Sequence, residues 1–372
     1  MLWFAALILL AWLIAGAELV YGALHTKHLD RYAPAENDAD LPAITIVVPA
    51  RNEAKTLEPA MRSLLALDYP RLTIVAVDDR SEDATGALLE DFTDKRLQVL
   101  HVHDLPDGWL GKNHALDQGA RQSDSEWLLF TDADIVFAPD TLRRAVTAVK
   151  ETGVDHLTAL PRLTGASIGL KTALPAFAMN FGLSVRPWRA ANPKSRASCG
   201  VGAFNLIRRS TYLTLGGHTR IAHAPHDDLA LGQLIKHAGY RQICMQADSL
   251  LSVRWYRTLP EFIHGLEKGS FAYFGYRLAP LVGATLIQAA LCLWPVAGLF
   301  LLHGNALVLD AAAVATMLLL GIHSAYRLHF SWLFGLVYPL SALIMLIVIW
   351  NSALRIRLRG GLEWRGTFYP LK

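Results

Sequence analysis

Glu126-Trp127-Leu128-Leu129-Phe130-Thr131-Asp132-Ala133-Asp134 is the stretch that decides the fold. The apolar run has the length of a buried strand, and its carboxyl end opens onto two carboxylates one residue apart. A solvated turn after a strand would look the same. A rigid strand end with paired carboxylates can also hold a hard divalent cation against a diphosphate.

Upstream, short runs rich in Val, Ile and Leu recur at Ala43–Val48, Thr73–Val77 and Leu97–Val102. Such runs suit buried parallel strands. Between them lie helix-length amphipathic stretches at about 53–67, 82–93, 113–121 and 140–151. Ser81 with Asp83, and Asp140 after Pro139, mark helix starts. The alternation predicts an open α/β sheet, and ligands on such sheets bind beyond the carboxyl ends of the strands.

Chemistry-bearing residues cluster at those ends. Pro49, Asn52 and Glu53 follow the first strand. Asp78 and Asp79 close the second, where a carboxylate can accept a hydrogen bond from a base or a ribose, or cap a helix with Ser81. Gly111-Lys112 opens a helix and can meet phosphate as a point charge. Asp227 and Asp228 open another helix after His223, Pro225 and His226. They are either caps or candidates for a general base, with Asp228 preferred. Arg254-Trp255 closes the region, as a phosphate clamp or as an interfacial turn.

The 372 residues are 53% hydrophobic, and the apolar excess sits at the two ends. Leu2 to Tyr21 is about 20 residues, long enough to cross a bilayer. No Lys or Arg precedes it, which argues for an uncleaved anchor over a signal peptide cut near Ala15-Gly16-Ala17. Lys27 and Arg31 follow it, so the positive-inside rule places the middle of the chain in the cytoplasm.

Candidate spans follow at 280–302, 305–323 and 332–352, the second weakened by Asp310. Three crossings after a cytoplasmic domain would export the basic tail of Arg355, Arg357, Arg359, Arg365 and Lys372. The positive-inside rule keeps such a tail in. The sequence leaves that conflict open. The expected organisation is an anchor over 1–24, a catalytic domain over 40–255, an amphipathic interfacial segment over 256–278, transmembrane helices over 279–354 and a basic tail over 355–372. Residues 160–225 read as loops and short elements.

Cys199, Cys244 and Cys292 are scattered and lack metal-ligand spacing, which suits a reducing compartment. The net charge is +3, and no Lys/Arg stripe is interleaved with aromatics, so nucleic acid is not an expected partner.

Taken together, the motifs resemble family 2 glycosyltransferases of the GT-A fold over about 42 to 275. Val48-Pro49-Ala50-Arg51-Asn52-Glu53 and Val77-Asp78-Asp79-Arg80-Ser81 are similar to the family's nucleotide-binding segments. Asp132-Ala133-Asp134 is similar to its D-x-D metal motif. Asp227-Asp228, with Leu231 and Gly239-Tyr240, matches the helix that supplies the base, with Asp227 where the family usually has Glu. Processive members carry Q-x-x-R-W. Here Leu251-Ser252-Val253-Arg254-Trp255 lacks the Gln, which weakens a polysaccharide-synthase reading. Gly108-Trp109-Leu110-Gly111-Lys112, Gly200-Val201-Gly202 and Glu363-Trp364-Arg365-Gly366 look closer to lipid-modifying members (hopanoid-associated, carotenoid and ceramide glucosyltransferases).

The resemblance implies a membrane-bound inverting transferase with a nucleotide-sugar donor, expected to be a UDP-sugar, and a lipid acceptor. It implies Asp228 as base, Mg²⁺ or Mn²⁺ on Asp132 and Asp134, and a donor site of Pro49, Asn52, Glu53, Asp78, Asp79, Lys112, Asp132, Arg254 and Trp255. A bacterial inner membrane is the expected location. A processive polysaccharide synthase and a non-catalytic scaffold are the alternatives.

Overall fold

A computed structural model of the chain describes residues 1–364 and 367–370. It divides into two compact units. Arg365 and Lys372 of the expected basic tail, and Gly366 of the terminal motif, lie outside the described residues.

One unit comprises His25–Thr164 and Val185–Trp255. Its strands are β1 Lys27–His28, β2 Ile44–Ala50, β3 Leu72–Asp79, β4 Leu97–Val102, β5 Trp127–Phe130, β6 Ile135–Phe137, β7 His156–Leu160, β8 Arg162–Leu163, β9 Asn205–Arg208, β10 Gln242–Gln246 and β11 Leu251–Val253. Eight of them form one sheet in the order β1-β10-β7-β9-β5-β2-β3-β4. β5, β2, β3 and β4 run parallel, while β9 is antiparallel to both of its neighbours. The chain builds β2, β3 and β4 outward, then returns to place β5 on the other side of β2. The carboxyl ends of β2 and β5 therefore flank the crevice where the strand order reverses, which is where such sheets bind ligands.

The four strands expected from the sequence appear within three residues of their predicted ends; β2, β3 and β5 are buried along most of their length, while β4, at the sheet edge, buries only Val102. The expected helices appear as Leu57–Leu65, Thr85–Glu90, Gly111–Arg121 and Thr141–Thr152. Asp140 does not cap the last of these; its carboxylate accepts from Arg144 Nε at 2.7 Å instead. The Gly111–Arg121 helix packs on β2 and β3 through Gly119, whose missing side chain admits Val47 and Val77. That close approach seats Gly111 and Lys112 over the strand ends.

Cys199 and Cys244 are not scattered in space: their sulfurs lie 3.4 Å apart as buried free thiols.

The other unit comprises Met1–Leu24, Gly165–Ser184 and Tyr256–Lys372. Among the described residues, five of its helices are long and apolar enough to cross a membrane. One of them, Ile168–Val185, is an 18-residue helix inside the 160–225 stretch expected to hold loops and short elements. Pro175 within it and its apolar residues all round conceal the helical period. The segment after Trp255 is not one amphipathic helix. It breaks into Leu259–Gly265, Glu267–Ser270 and a short turn, then bends at Gly275 and Tyr276, both with positive φ. Leu278–Leu301 is continuous through a wider turn at Ala289–Leu293, and Gly304–Arg327 and Tyr338–Arg359 follow.

Candidate active site

β5 delivers Asp132 to its carboxyl end, and the backbone there is fixed by two partners. Thr131 N–H donates to Val47 O at 3.2 Å and Asp132 N–H to Gly202 O at 2.9 Å. Gly202 N–H in turn donates to Asp228 Oδ2 at 2.9 Å. One glycine thus ties the backbone of the first aspartate of the D-x-D motif to the carboxylate of the candidate base. A side chain at Gly202 would strike Asp132 Oδ2.

Lys112 bridges the same groups. Its Nζ lies 2.7 Å from Asp132 Oδ1 and 3.2 Å from Asp227 Oδ2. Burial alone would lower the Lys112 ammonium; the charges of Asp132, Asp227 and Asp228 outweigh it and hold the group above its ordinary range. Lys112, Thr131, Asp132, Gly202, Asp227 and Asp228 line one cleft. Asp227 is buried, Asp228 half-buried, and the Asp132 side chain 40% exposed.

Asp228 caps nothing in its own helix beyond Leu229 N–H, which reaches Oδ1 at 2.8 Å. Burial, then the neighbouring charge of Asp227, pushes its carboxyl up, against the pull of Lys112 and the Leu229 N–H. Both shifts make it a stronger proton acceptor than a free aspartate.

The nucleotide-side candidates interlock. Asn52, at φ 53°, accepts Glu82 N–H on its side chain at 2.8 Å and donates its own N–H to Ser81 Oγ at 3.1 Å. Glu53 N–H donates to Thr85 Oγ1 at 2.8 Å. Pro49, the last residue but one of β2, lies opposite Val77. Asp79 is 3% exposed and paired with Arg80 through Nε at 2.7 Å and Nη2 at 3.1 Å. Gly111 lets the Lys112 helix sit against that pair. Asp78 accepts Ser81 N–H at 3.3 Å and pairs with His101 Nδ1 at 3.0 Å.

Asp134 is half-buried just beyond. The antiparallel β6–β11 register pairs Ile135 with Val253, so Asp134 and Arg254 are the next positions in line. Arg254 is exposed and Trp255 half-buried. Among the described residues no three Asp, Glu, His or Cys side chains converge as a metal cage. Asp132 opens on the cleft and Asp134 follows two residues on; a pair of carboxylates so spaced fits a cation that takes its remaining ligands from substrate phosphates and water.

Several residues escaped the sequence reading. Asn113, 1% exposed, donates its amide to the carbonyls of Ile221, Ala222 and Ala224 at 2.7, 3.2 and 3.1 Å. It thereby fixes the loop that leads into Asp227. His218 lines the cleft and meets Tyr212 OH at 2.8 Å; burial lowers its imidazole to about 4, so it stays neutral near pH 7. Gly202 stands out in the sequence only as part of the Gly200-Val201-Gly202 loop. No local signal marks Asn113 or Gly202, because the first acts across about a hundred residues of chain and the second through its backbone.

His101 makes a testable pair of contacts, with Asp78 and with Glu90 Oε1 at 2.9 Å. Bonding to Glu90, then to Asp78, raises its imidazole above 6.5. A raised histidine contributes stability below its unfolded value and loses it as pH climbs through the folded one. Thermal unfolding followed from pH 6 upward should show that loss in the wild type and a flatter profile in His101→Gln. Parallel profiles would remove His101 from the titration.

The open sheet, with paired carboxylates at its reversal point, has the GT-A fold. Residues 45–212 match the model of glycosyl transferase family 2: the segment is a family 2 glycosyltransferase domain, and the protein is a glycosyltransferase. The 4,4'-diaponeurosporenoate glycosyltransferase of Staphylococcus aureus strain MRSA252 is 22% identical over 346 residues, 88% of either chain. That of strain USA300 is 23% identical over 354 residues, again 88% of each. The fold is shared with the mannosyltransferase PcManGT from Pyrobaculum calidifontis, solved with GDP-Man and Mn²⁺. That match has a TM-score of 0.54 at 22% identity, over 95% of this chain and 99% of that one.

Proposed function

We propose that the protein is a membrane-bound, inverting glycosyltransferase that moves one sugar from a nucleotide diphosphate sugar to a membrane lipid. The observation that carries this reading is the tie through Gly202, which holds Asp132 and Asp228 on one cleft with Lys112 beside both. Asp228 takes the proton of an acceptor hydroxyl. The freed oxygen attacks the anomeric carbon from the face opposite the diphosphate, and the bond to the leaving oxygen breaks with its electron pair. Lys112 meets the charge that grows on the departing diphosphate. Mg²⁺ or Mn²⁺ on Asp132 and Asp134, when bound, would neutralise further charge there.

Pro49, Asn52, Glu53, Asp78 and Asp79 form the nucleoside side, and Arg254 with Trp255 closes it. A UDP-sugar is the proposed donor; the GDP-Man of the structural relative makes GDP the comparison. The relatives named for diaponeurosporenoate support a lipid acid as one acceptor class, and such an acid arrives ionised and asks less of the base. The apolar helices tether the domain to the bilayer, and Lys27 and Arg31 favour a cytoplasmic domain at a bacterial inner membrane.

Mass spectrometry of lipids from cells with and without the protein tests the acceptor. A glycolipid that vanishes supports the reading, and an unchanged lipid profile with a polymer lost instead would overturn it. Titration of UDP and GDP with and without Mn²⁺ tests the donor side. Asp134→Ala should weaken Mn²⁺-dependent nucleotide binding about 10-fold while metal-free binding holds. A wild-type titration would count against Asp134 as a ligand.

A further inference from the structure

Three helices of the apolar unit run side by side along a common direction. Trp12 Nε1 donates to Leu291 O at 2.9 Å, and Phe4 packs edge-on to Trp294 at 5.8 Å. The Leu2–His25 helix is therefore antiparallel to Leu278–Leu301. It is parallel to Gly304–Arg327: Leu2, Trp3 and Ala6 share a groove with Asn305, Val308 and Leu309, and Gly16 lies under Leu320. His25, Leu278 and Arg327 consequently mark one face, and Leu2, Leu301 and Gly304 the other.

Tyr338–Arg359 does not follow that pattern. A fourth crossing would start beside Arg327 and finish beside Leu301. Instead its first residue packs against mid-helix positions: Tyr338 meets Trp12 at 5.8 Å between rings and lies against Gly321. Ala342 O accepts from Gln288 Nε2 at 2.8 Å, and Trp350 Nε1 donates to Thr285 Oγ1 at 3.0 Å. Ala353 and Ile356 then pack with Leu281 and Phe271. Arg355 and Arg359 end at Glu267, 3.5 and 3.4 Å away. The partners run from 288 back to 267, toward the face of Leu278 and Arg327.

Ile168–Val185 packs on the same deep start. Ser324 Oγ donates to Pro175 O at 2.8 Å, Tyr338 OH to Met179 Sδ at 3.2 Å, and Ser341 Oγ to Thr172 O. Its two ends both lead back into the catalytic unit, so it cannot be a crossing that leaves that unit on one side.

We propose that only Leu2–His25, Leu278–Leu301 and Gly304–Arg327 cross the bilayer, while Ile168–Val185 and Tyr338–Arg359 are half-inserted in the leaflet on the side of residues 256–277. The proposal rests on the membrane reading of this unit. The occupant of the outer face of Tyr338–Arg359 is that leaflet's acyl chains. Leu340, Leu343, Ile347, Leu354 and Leu358 are exposed at helical spacing, while Arg355 and Arg359 turn to Glu267. The half-insertion also removes the conflict between crossing number and tail charge. Arg355, Arg357 and Arg359 stay on the side of Lys27 and Arg31, as the positive-inside rule asks.

The two ends of the full chain settle it. Three crossings put them on opposite sides of the membrane, and four put them on the same side. A linker-extended epitope tag is placed at each end, and protease is added to spheroplasts and to inverted vesicles, with detergent-opened samples confirming that both tags can be cut. Loss of one tag in each preparation is expected. Loss of both tags in the same preparation overturns half-insertion. Release of the untagged chain by alkaline carbonate would instead defeat the membrane reading itself.

Discussion

Asp228→Asn is expected to lower kcat about 10²- to 10⁴-fold, the range a positioned general base contributes. Nucleotide affinity should stay within about 3-fold, because Lys112, Asp132 and the Asp78–Asp79 side are untouched. The geometry complicates the substitution in a measurable way. Asp228 accepts two N–H groups, from Gly202 and from Leu229. An amide has one accepting oxygen and presents N–H to the other donor, which should cost about 1–3 kcal/mol of stability. Melting temperature and nucleotide titration must therefore accompany kcat. A folded, nucleotide-binding Asp228→Asn with kcat within a few-fold of wild type would remove Asp228 from the base role. Asp227→Asn is the companion. Asp227 pairs with Lys112, so its loss should act on donor binding as well as turnover. A pure kcat defect in Asp227→Asn beside an active Asp228→Asn would exchange the two assignments.

Local patterns carried the catalytic domain because its buried strands are runs that need no partner to be recognised. Val47, Val75, Val77 and Leu128 sit at or near zero exposure in the sheet, and the carboxylates follow at fixed offsets from those runs. The positions that join the carboxylates were not legible. Gly202 works through its N–H and C=O, which every residue has. Asn113 works through carbonyls more than a hundred positions away. Hydropathy likewise marks Tyr338–Arg359 as long and apolar enough to span. Depth is set by packing, here by Tyr338 against Trp12 and Gly321, and no window of sequence encodes it. Ile168–Val185 failed for a different reason: Pro175 and Gly182 argue locally against a helix that tertiary contacts sustain.

Gly200 is pressed against the backbone of the helix that carries Asp228. A methyl built there would overlap the carbonyl oxygen of Asp228, and below it Gly232 already lies against Cys199 O and Gly200 N. The segment before Gly202 and the first turn of the Asp227–His237 helix thus touch backbone to backbone. Neither surface can yield by rotating a side chain, so Gly200→Ala must push the helix start away. Overpacking of this kind costs about 1–3 kcal/mol and occasionally more, and backbone against backbone belongs at the upper end. For a domain of this size that is a fall in Tm of about 6–12 °C. The same displacement moves Asp228 relative to Asp132. Stability and turnover should therefore fall together, with kcat down at least 10-fold, since a misplacement of about 1 Å can cost 10²-fold. Gly283→Ala, with nothing within 4 Å of the added carbon, is the control and should change neither. A Gly200→Ala protein with the wild-type Tm and kcat would mean that this loop does not press on the helix. The tie from Asp132 to Asp228 would then lose its rigid frame.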